Sequence, residues 1–487
     1  MGHRGEPRWR QGGLILMTTS DTTTRLSAQL AHHAVHADID HIPAEVRLRA
    51  THLMLDALGI ALASTQWDFA RQTLAGLREL AGPGGDQPVI GHGQKLPMRD
   101  AVIMNALLIH GLDYDDTHPS GVIHATTSVL PAVLGLSTRL NASGRDLLNA
   151  YVLGMETATR LGAAAKGGFH QIGFHPTGLI GAFGCTLAAA RLLRLDTART
   201  IDAQGIALSV ASGSLECLED GAWTKRLHPG WAAAAGITAA TLAKHGFVGP
   251  GAAYEGRFGL YPSHLGALYE KCDLGMVTAG LGEVWETLNV AIKPVPACHF
   301  THAFADAAGL LSKSWNGAPI RRIVAKVPPG AMKAVCEPRD KKLRPSNAYE
   351  AQFSVPYSVA SGLRFGRFTL DALDPAAWQD PQTLQLAALV ECVPDPQADF
   401  PRYFGGEVHI ELADGRVLSH AEPINRGAPG RPITNEDIVV KFYENASRAV
   451  DRKHADHVLN AVLDIEHGSA AALSELLGVQ ARMENRQ

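Results

Sequence analysis

Cysteine is scarce, with six in 487 residues, and no two of Cys185, Cys217, Cys272, Cys298, Cys336 and Cys392 share a CxxC or other metal-like spacing. A disulfide framework belongs to short secreted chains, so these read as free, mostly buried thiols of a cytoplasmic protein. Charge is thin as well, at 19% of residues against a usual share near 25%. The formal net charge of −4 leaves no basic field of the kind a nucleic-acid binder needs. No apolar run reaches the ~20 residues of a membrane span. There is no GxGxxG after a strand, no Walker loop and no GxSxG elbow, so nucleotide, dinucleotide and serine-hydrolase readings lack support. Nor is there a 20–50-residue repeat.

What is present is apolar chain, 46% of residues, long enough for two or three domains at ~150 residues each. Residues 1–22 are basic, briefly apolar and then polar. They read as a disordered extension, with Met17 the better start. From Leu26 to Asn289 helix follows helix. Ala44–Ala63, Ala101–Gly111, Gly144–Leu161, Gly178–Leu192 and Gly230–His245 are rich in Ala, Leu and Gly, with few charges in their middles, as helices inside a helical assembly are. Near Lys293 the character changes. Prolines interrupt, Arg321–Val327 reads as a strand, and Gly406–His420 alternates apolar and polar residues around an Asp414–Gly415 turn. Ser354–Leu363 and Pro381–Leu389 read as helices between these strands. Helical pattern returns after Pro432, opened by a Thr434 cap. The expected fold is mainly α: an all-helical domain made of residues 23–290 and 431–487, with a smaller α+β lid domain, 291–430, inserted in it. The cleft between them is the default ligand site.

Polar residues gather in five blocks within otherwise apolar surroundings. The first, LDYDDTHPSGVIH, holds Asp113, Asp115, Asp116, Thr117, His118 and His124 just after a helix. Capping accounts for one or two of these, but not for three acids and two imidazoles; acid–base work is favoured over a metal site. The second, GGFHQIGFHPTG, places His170 and His175 in a Gly-rich loop before a helix. The third, EDGAWTKRLHPGW, brings Lys225, Arg226 and His228 together in a loop between helices, a setting suited to a carboxylate ligand. The fourth, IKPVPACHFTH, offers Lys293, His299, Thr301 and His302 at the domain switch. The fifth, YEAQFSVPYSVA, contributes Tyr357, which taken alone would be a core residue. Carboxylates, imidazoles and lysines without a cofactor motif suit proton transfer beside a substrate carboxylate, where Lys and imidazolium stabilise the charge that develops.

In this order the blocks LDYDDTH, GFHPTG, DGAWTKRLHPGWAA, KPVPACHFTHA and AQFSVPYSVA resemble the signature blocks of the MmgE/PrpD superfamily, from about Leu26 to Leu477. That family includes 2-methylcitrate dehydratase, cis-aconitate decarboxylase and iminodisuccinate epimerase. The resemblance implies a helical domain with an α+β lid, a homodimer, and chemistry that uses no metal and no organic cofactor. Carried over block by block, it implies active-site roles for Asp113, Thr117, His124, His175, Lys225, Lys293 and Tyr357. Family members often read His–Pro where this chain has His124–Ala125, which leaves His118 as the alternative imidazole. The expected activity is that of a cytoplasmic lyase on a small di- or tricarboxylate, foremost dehydration of a β-hydroxy acid such as 2-methylcitrate in propionate catabolism. Decarboxylation or epimerisation by the same proton chemistry is the first alternative, and a non-catalytic carboxylate-binding protein the second.

Overall fold

Pro43 fixes an extended entry into helix α1, Ala44–Ser64, in which every side chain from Ala50 to Ser64 is buried. A helix buried on all sides has to lie inside an assembly of other helices. The computed structural model describes residues 25–482; the extension expected at residues 1–22 lies outside them. The neighbours that position the site are α2 (Met98–His110), α3 (Ala125–Leu140), α4 (Gly144–Ala164), α5 (Gly181–Leu192) and α6 (Thr224–Lys244). Small residues set how closely these helices approach. A Cβ on Gly184 of α5 would lie 2.6 Å from the Gly154 carbonyl oxygen of α4. One on Gly230 of α6 would lie 2.6 Å from the Ile103 oxygen of α2. Any larger residue at Gly230 would push α6 away from α2, and these two helices carry functional groups at facing ends.

Further along, α7 (His299–Trp315) and α8 (Val355–Phe365) pack on a four-stranded sheet. Its strands are β1 (Ile320–Val327), β2 (Val390–Pro394), β3 (Gly406–Leu412) and β4 (Val417–Glu422), in the order β2-β1-β3-β4. β1 pairs parallel with β2 and antiparallel with β3, and β3 and β4 form the expected hairpin around Gly415. The inward residues Phe304, Val327, Val359 and Ile410 belong to a hydrophobic cluster separate from the main one. The chain then returns to the first helices through α9, Asn435–Ala446, opened by a Thr434–Asp437 capping box. Phe442 of α9 packs over Gly59 of α1, and Lys441 pairs with buried Asp56 at 2.7 Å. The protein is thus mainly α with small sheets. Among the described residues no helix is long and apolar enough to cross a membrane, and all six cysteines are free thiols.

Two local expectations are corrected. Helix α6 begins at Thr224 rather than Gly230, so Lys225, Arg226 and His228 sit on a helix and not in a loop. Pro229 reads in sequence as a break, yet the helix runs through it and leaves the Lys225 carbonyl without its i+4 partner. Strand β2 was not expected: after the helix Pro381–Ala388 the chain turns directly into a partner for β1.

Candidate functional site

The site begins where α2 ends. His110 closes that helix, and the loop to α3 carries the first polar block. Asp113 and Val122 both adopt φ of +50°, a left-handed conformation that is unfavourable for non-glycine residues and strained for a β-branched one. The loop is held from several sides. The main chains of Thr117 and Ala291 exchange two 2.8 Å hydrogen bonds. Gln352 donates to the carbonyls of Leu112 and Pro296, at 2.5 and 3.1 Å. Lys441 donates to the Tyr114 carbonyl at 2.9 Å, its ammonium 3.8 Å from the centre of the Tyr114 ring.

This bracing brings together residues distant in sequence. The Asp113 carboxylate accepts from Lys225 at 3.0 Å and from Lys293 at 3.1 Å, and Lys293 also donates to the Asp113 main-chain oxygen at 2.7 Å. Burial alone would raise the Asp113 pKa. The two ammonium groups outweigh it and hold the carboxyl well below its ordinary range. Asp113 in turn outweighs burial at Lys225 and pushes that pKa up, so the lysine stays charged. An ammonium has three N–H donors. Lys225 gives one to Asp113 and Lys293 gives two, so three donors remain for an anion placed between them.

Beside this clamp lies a group of imidazoles. His110 Nδ1 is 2.8 Å from Asp115 Oδ2, and His124 Nδ1 is 3.4 Å from the same oxygen. His124 also lies 2.8 Å from the Asp116 carbonyl and 3.3 Å from Thr117 Oγ1, while its main-chain N–H donates to Thr177 at 3.1 Å. His175 stacks on His110 with centroids 5.5 Å apart and meets His228 through an Nδ1–Nδ1 contact of 3.0 Å. Burial pushes His124 down to about 3, helped by Lys293, and His228 down to about 4, helped by His110 and Lys225. His175 is lowered well below its ordinary value for the same reasons, burial first. All three imidazoles are therefore neutral bases near pH 7. The His110 Nε2 and Asp115 Oδ1 atoms are buried without a hydrogen-bond partner among the described residues.

His110, Asp115 and His124 also form the one group among the described residues whose ligand atoms, all within 4.8 Å of one another, come together as a metal site requires. The 2.8 Å His110–Asp115 contact already engages two of those atoms. A cavity of about 710 Å³ lies elsewhere, lined by His32, His33, His36 and Trp285 among others, and includes none of the cluster residues.

Six of the seven residues singled out in the sequence, Asp113, Thr117, His124, His175, Lys225 and Lys293, come together here. Tyr357 does not. Its hydroxyl donates to the Ala372 carbonyl at 2.6 Å and its ring meets Phe368 edge-on, so it is a fully buried packing residue. The two imidazoles of the first block point in different directions. His118 points to Glu286 at 2.9 Å and accepts from the Gly121 N–H, whereas His124 faces the cluster. Sequence reasoning missed His110, whose signal was an imidazole at the end of a largely apolar helix, three residues before Asp113. It noticed Asp115 and His228 but gave them no role.

The chain matches the family models described as the MmgE/PrpD N-terminal domain, over residues 28–269, and the MmgE/PrpD C-terminal domain, over residues 295–466. It is 27% identical to the cis-aconitate decarboxylase-like protein oryM of Aspergillus oryzae, across 95% of this chain and 99% of that protein. It is 28% identical to the cis-aconitate decarboxylase of Homo sapiens, across 89% of this chain and 90% of that protein. A shorter match, 31% identical over 29% of this chain and 31% of the relative, is to the 2-methylcitrate dehydratase of Cupriavidus necator.

Proposed function

The chain belongs to the MmgE/PrpD family, and from that premise we propose that it is a lyase acting on a small di- or tricarboxylate by proton transfer next to a carboxylate. The observation that carries this reading is the Lys225–Asp113–Lys293 clamp beside neutral His124 and His175. Lys225 and Lys293 hold a substrate carboxylate with their remaining N–H donors and stabilise the enediolate-like charge that develops. His175 moves the proton, and Thr117 orients His124 on the substrate side. Asp113 keeps Lys225 charged and holds both ammonium groups in place.

Two outcomes of this chemistry have support. Decarboxylation is favoured by the relatives matched nearly end to end, which are named as cis-aconitate decarboxylases. Dehydration of a β-hydroxy acid is favoured by the dehydratase match, over a shorter stretch. Both begin from a carboxylate held by cations and need a base or acid at the adjacent carbon. They differ in whether carbon dioxide or hydroxide departs.

We read the segment 291–430 as a lid over this site, because its sheet and helices α7 and α8 share a hydrophobic cluster of their own. A homodimer is supported by Trp223, which caps α6, and by Leu227 and Trp231 on that helix, which recur every four residues and stay exposed. Six free thiols suit a reducing compartment such as the cytoplasm.

Proton NMR in D2O tests the reading, with cis-aconitate, citrate, 2-methylcitrate, malate and iminodisuccinate as substrates and Lys225→Ala as control. Loss of a carboxylate identifies a decarboxylase and loss of water a dehydratase. Deuterium uptake with no new product identifies an epimerase. A folded wild-type protein that is silent on the whole panel would count against lyase chemistry on these acids.

A further inference from the structure

We propose that Tyr349 is a substrate-binding residue, whose hydroxyl donates a hydrogen bond to the substrate carboxylate that Lys225 holds; the proposal rests on the reading of the Asp113 clamp as a carboxylate site.

Three observations place this residue at the clamp. It belongs to the short helix Ala348–Gln352, and Gln352 at the end of that helix is bonded to the carbonyl of Leu112, the residue before Asp113. One turn on, the Phe353 ring lies 5.9 Å from the Lys225 ammonium, and the Tyr349 ring packs on Phe353 with centroids 4.7 Å apart. On another side is the Arg226 guanidinium, 5.7 Å from the Tyr349 ring centre. Arg226 is itself fixed by the Gly111 carbonyl at 2.7 Å and by the Phe69 ring. The phenol is therefore wedged between groups that the site already orients.

Its oxygen, however, is sealed from solvent and has no hydrogen-bond partner among the described residues. A buried hydroxyl left unpaired is unfavourable, and most such groups in folded proteins have a partner. The nearby anion, Asp113, is already occupied by two lysines. Burial raises the phenol pKa, and the Asp113 charge adds to this against the opposing pull of Lys225. The group accordingly stays protonated and serves as a donor. A donor next to ammonium groups with spare N–H bonds matches a carboxylate, which accepts several hydrogen bonds at once. Tyr349 also comes from the segment 291–430, whereas Asp113 and Lys225 come from the helical part, so a ligand touching all three would bridge them.

Isothermal titration calorimetry with propane-1,2,3-tricarboxylate, a saturated and unreactive tricarboxylate, tests this on wild type, Tyr349→Phe and Lys225→Ala. Circular dichroism checks that each variant is folded. Loss of a hydrogen bond to a charged group weakens binding roughly tenfold to a hundredfold. We expect that loss in Tyr349→Phe, and near-complete loss in Lys225→Ala. Unchanged affinity in Tyr349→Phe alongside lost affinity in Lys225→Ala overturns the role of Tyr349 and leaves the carboxylate site standing. Equal behaviour of wild type and Lys225→Ala overturns both.

Discussion

Lys293 grips Asp113 twice, by its carboxylate and by its main-chain carbonyl, across 180 positions of sequence. One side chain thereby fixes both the charge and the left-handed backbone of the residue on which the clamp is built. Replacing Lys293 with Met should leave a buried carbonyl without its donor and a buried carboxylate with half its compensation. Stability should fall by about 3–5 kcal/mol, read by urea denaturation, and turnover should vanish. Lys225→Ala, at the less buried end of the clamp, should abolish turnover with a smaller change in stability.

Acid should weaken the fold in a defined window. His124, pushed down to about 3, and His228, pushed down to about 4, start from an ordinary value of 6.5. Between pH 6.5 and about 4 the unfolded chain binds protons at these positions that the folded chain refuses, so stability falls as pH falls. Above pH 6.5 both forms are neutral and the effect is absent. Below about pH 4 the depressed carboxyls of Asp113 and Asp115 add a further loss. Asp116, raised to about 7 by burial, works in the opposite sense over this range, so the test is differential: the melting temperature of His228→Gln should fall less between pH 6.5 and pH 4 than that of the wild type.

The two imidazoles of the first block should separate cleanly. His124→Gln removes a base from the cluster and should lower kcat by a hundredfold or more. His118→Gln disturbs the contact with Glu286 and the Gly121 N–H, and should cost about 1–3 kcal/mol of stability. At a temperature where both variants are folded, only the first should be inactive. Steady-state kinetics on the active substrate decides it.

Tyr357→Phe should leave kcat within about twofold of wild type. The lost bond to the Ala372 carbonyl should show instead as about 1 kcal/mol of stability. A hundredfold fall in kcat with an unchanged melting temperature would return Tyr357 to the reaction.

The exposed stripe on α6 should hold two copies together. Trp231→Glu places a charge on it, and light scattering after size exclusion should show the mass falling from about twice to about one times 52 kDa. A wild-type protein that elutes as a monomer would remove the basis for this expectation.

Much of this was legible in the sequence because it rests on local pattern. Ala44–Ala63 announced a buried helix through apolar residues at helical spacing after Pro43, and Asp414–Gly415 announced a hairpin through turn chemistry. The lysines and His175 stood out as charges and imidazoles within apolar chain. What was not legible depends on where a side chain points. Tyr357 and Tyr349 lie eight residues apart in one block, and only packing decides that the first enters the core while the second faces Lys225. His118 and His124 are both imidazoles in one loop, separated by the bend at Val122. His110 was hidden because it ends a largely apolar helix outside the polar blocks, so its partner Asp115 could be found only once the loop had folded back.

The paired main chains of Thr117 and Ala291 bear on when in its synthesis the protein becomes functional. A growing chain that has produced Asp113 and Lys225 still lacks the second cation and the backbone partner that shapes the loop. Until residues 291–293 emerge the bend at Asp113 lacks Lys293, and the flanking carbonyls of Leu112 and Tyr114 wait longer still for Gln352 and Lys441. Closing so long a loop is entropically demanding, so ligand affinity should arise late, after much of the helical layer is already translated. An unfinished chain therefore presents helices before the proposed anion site is assembled.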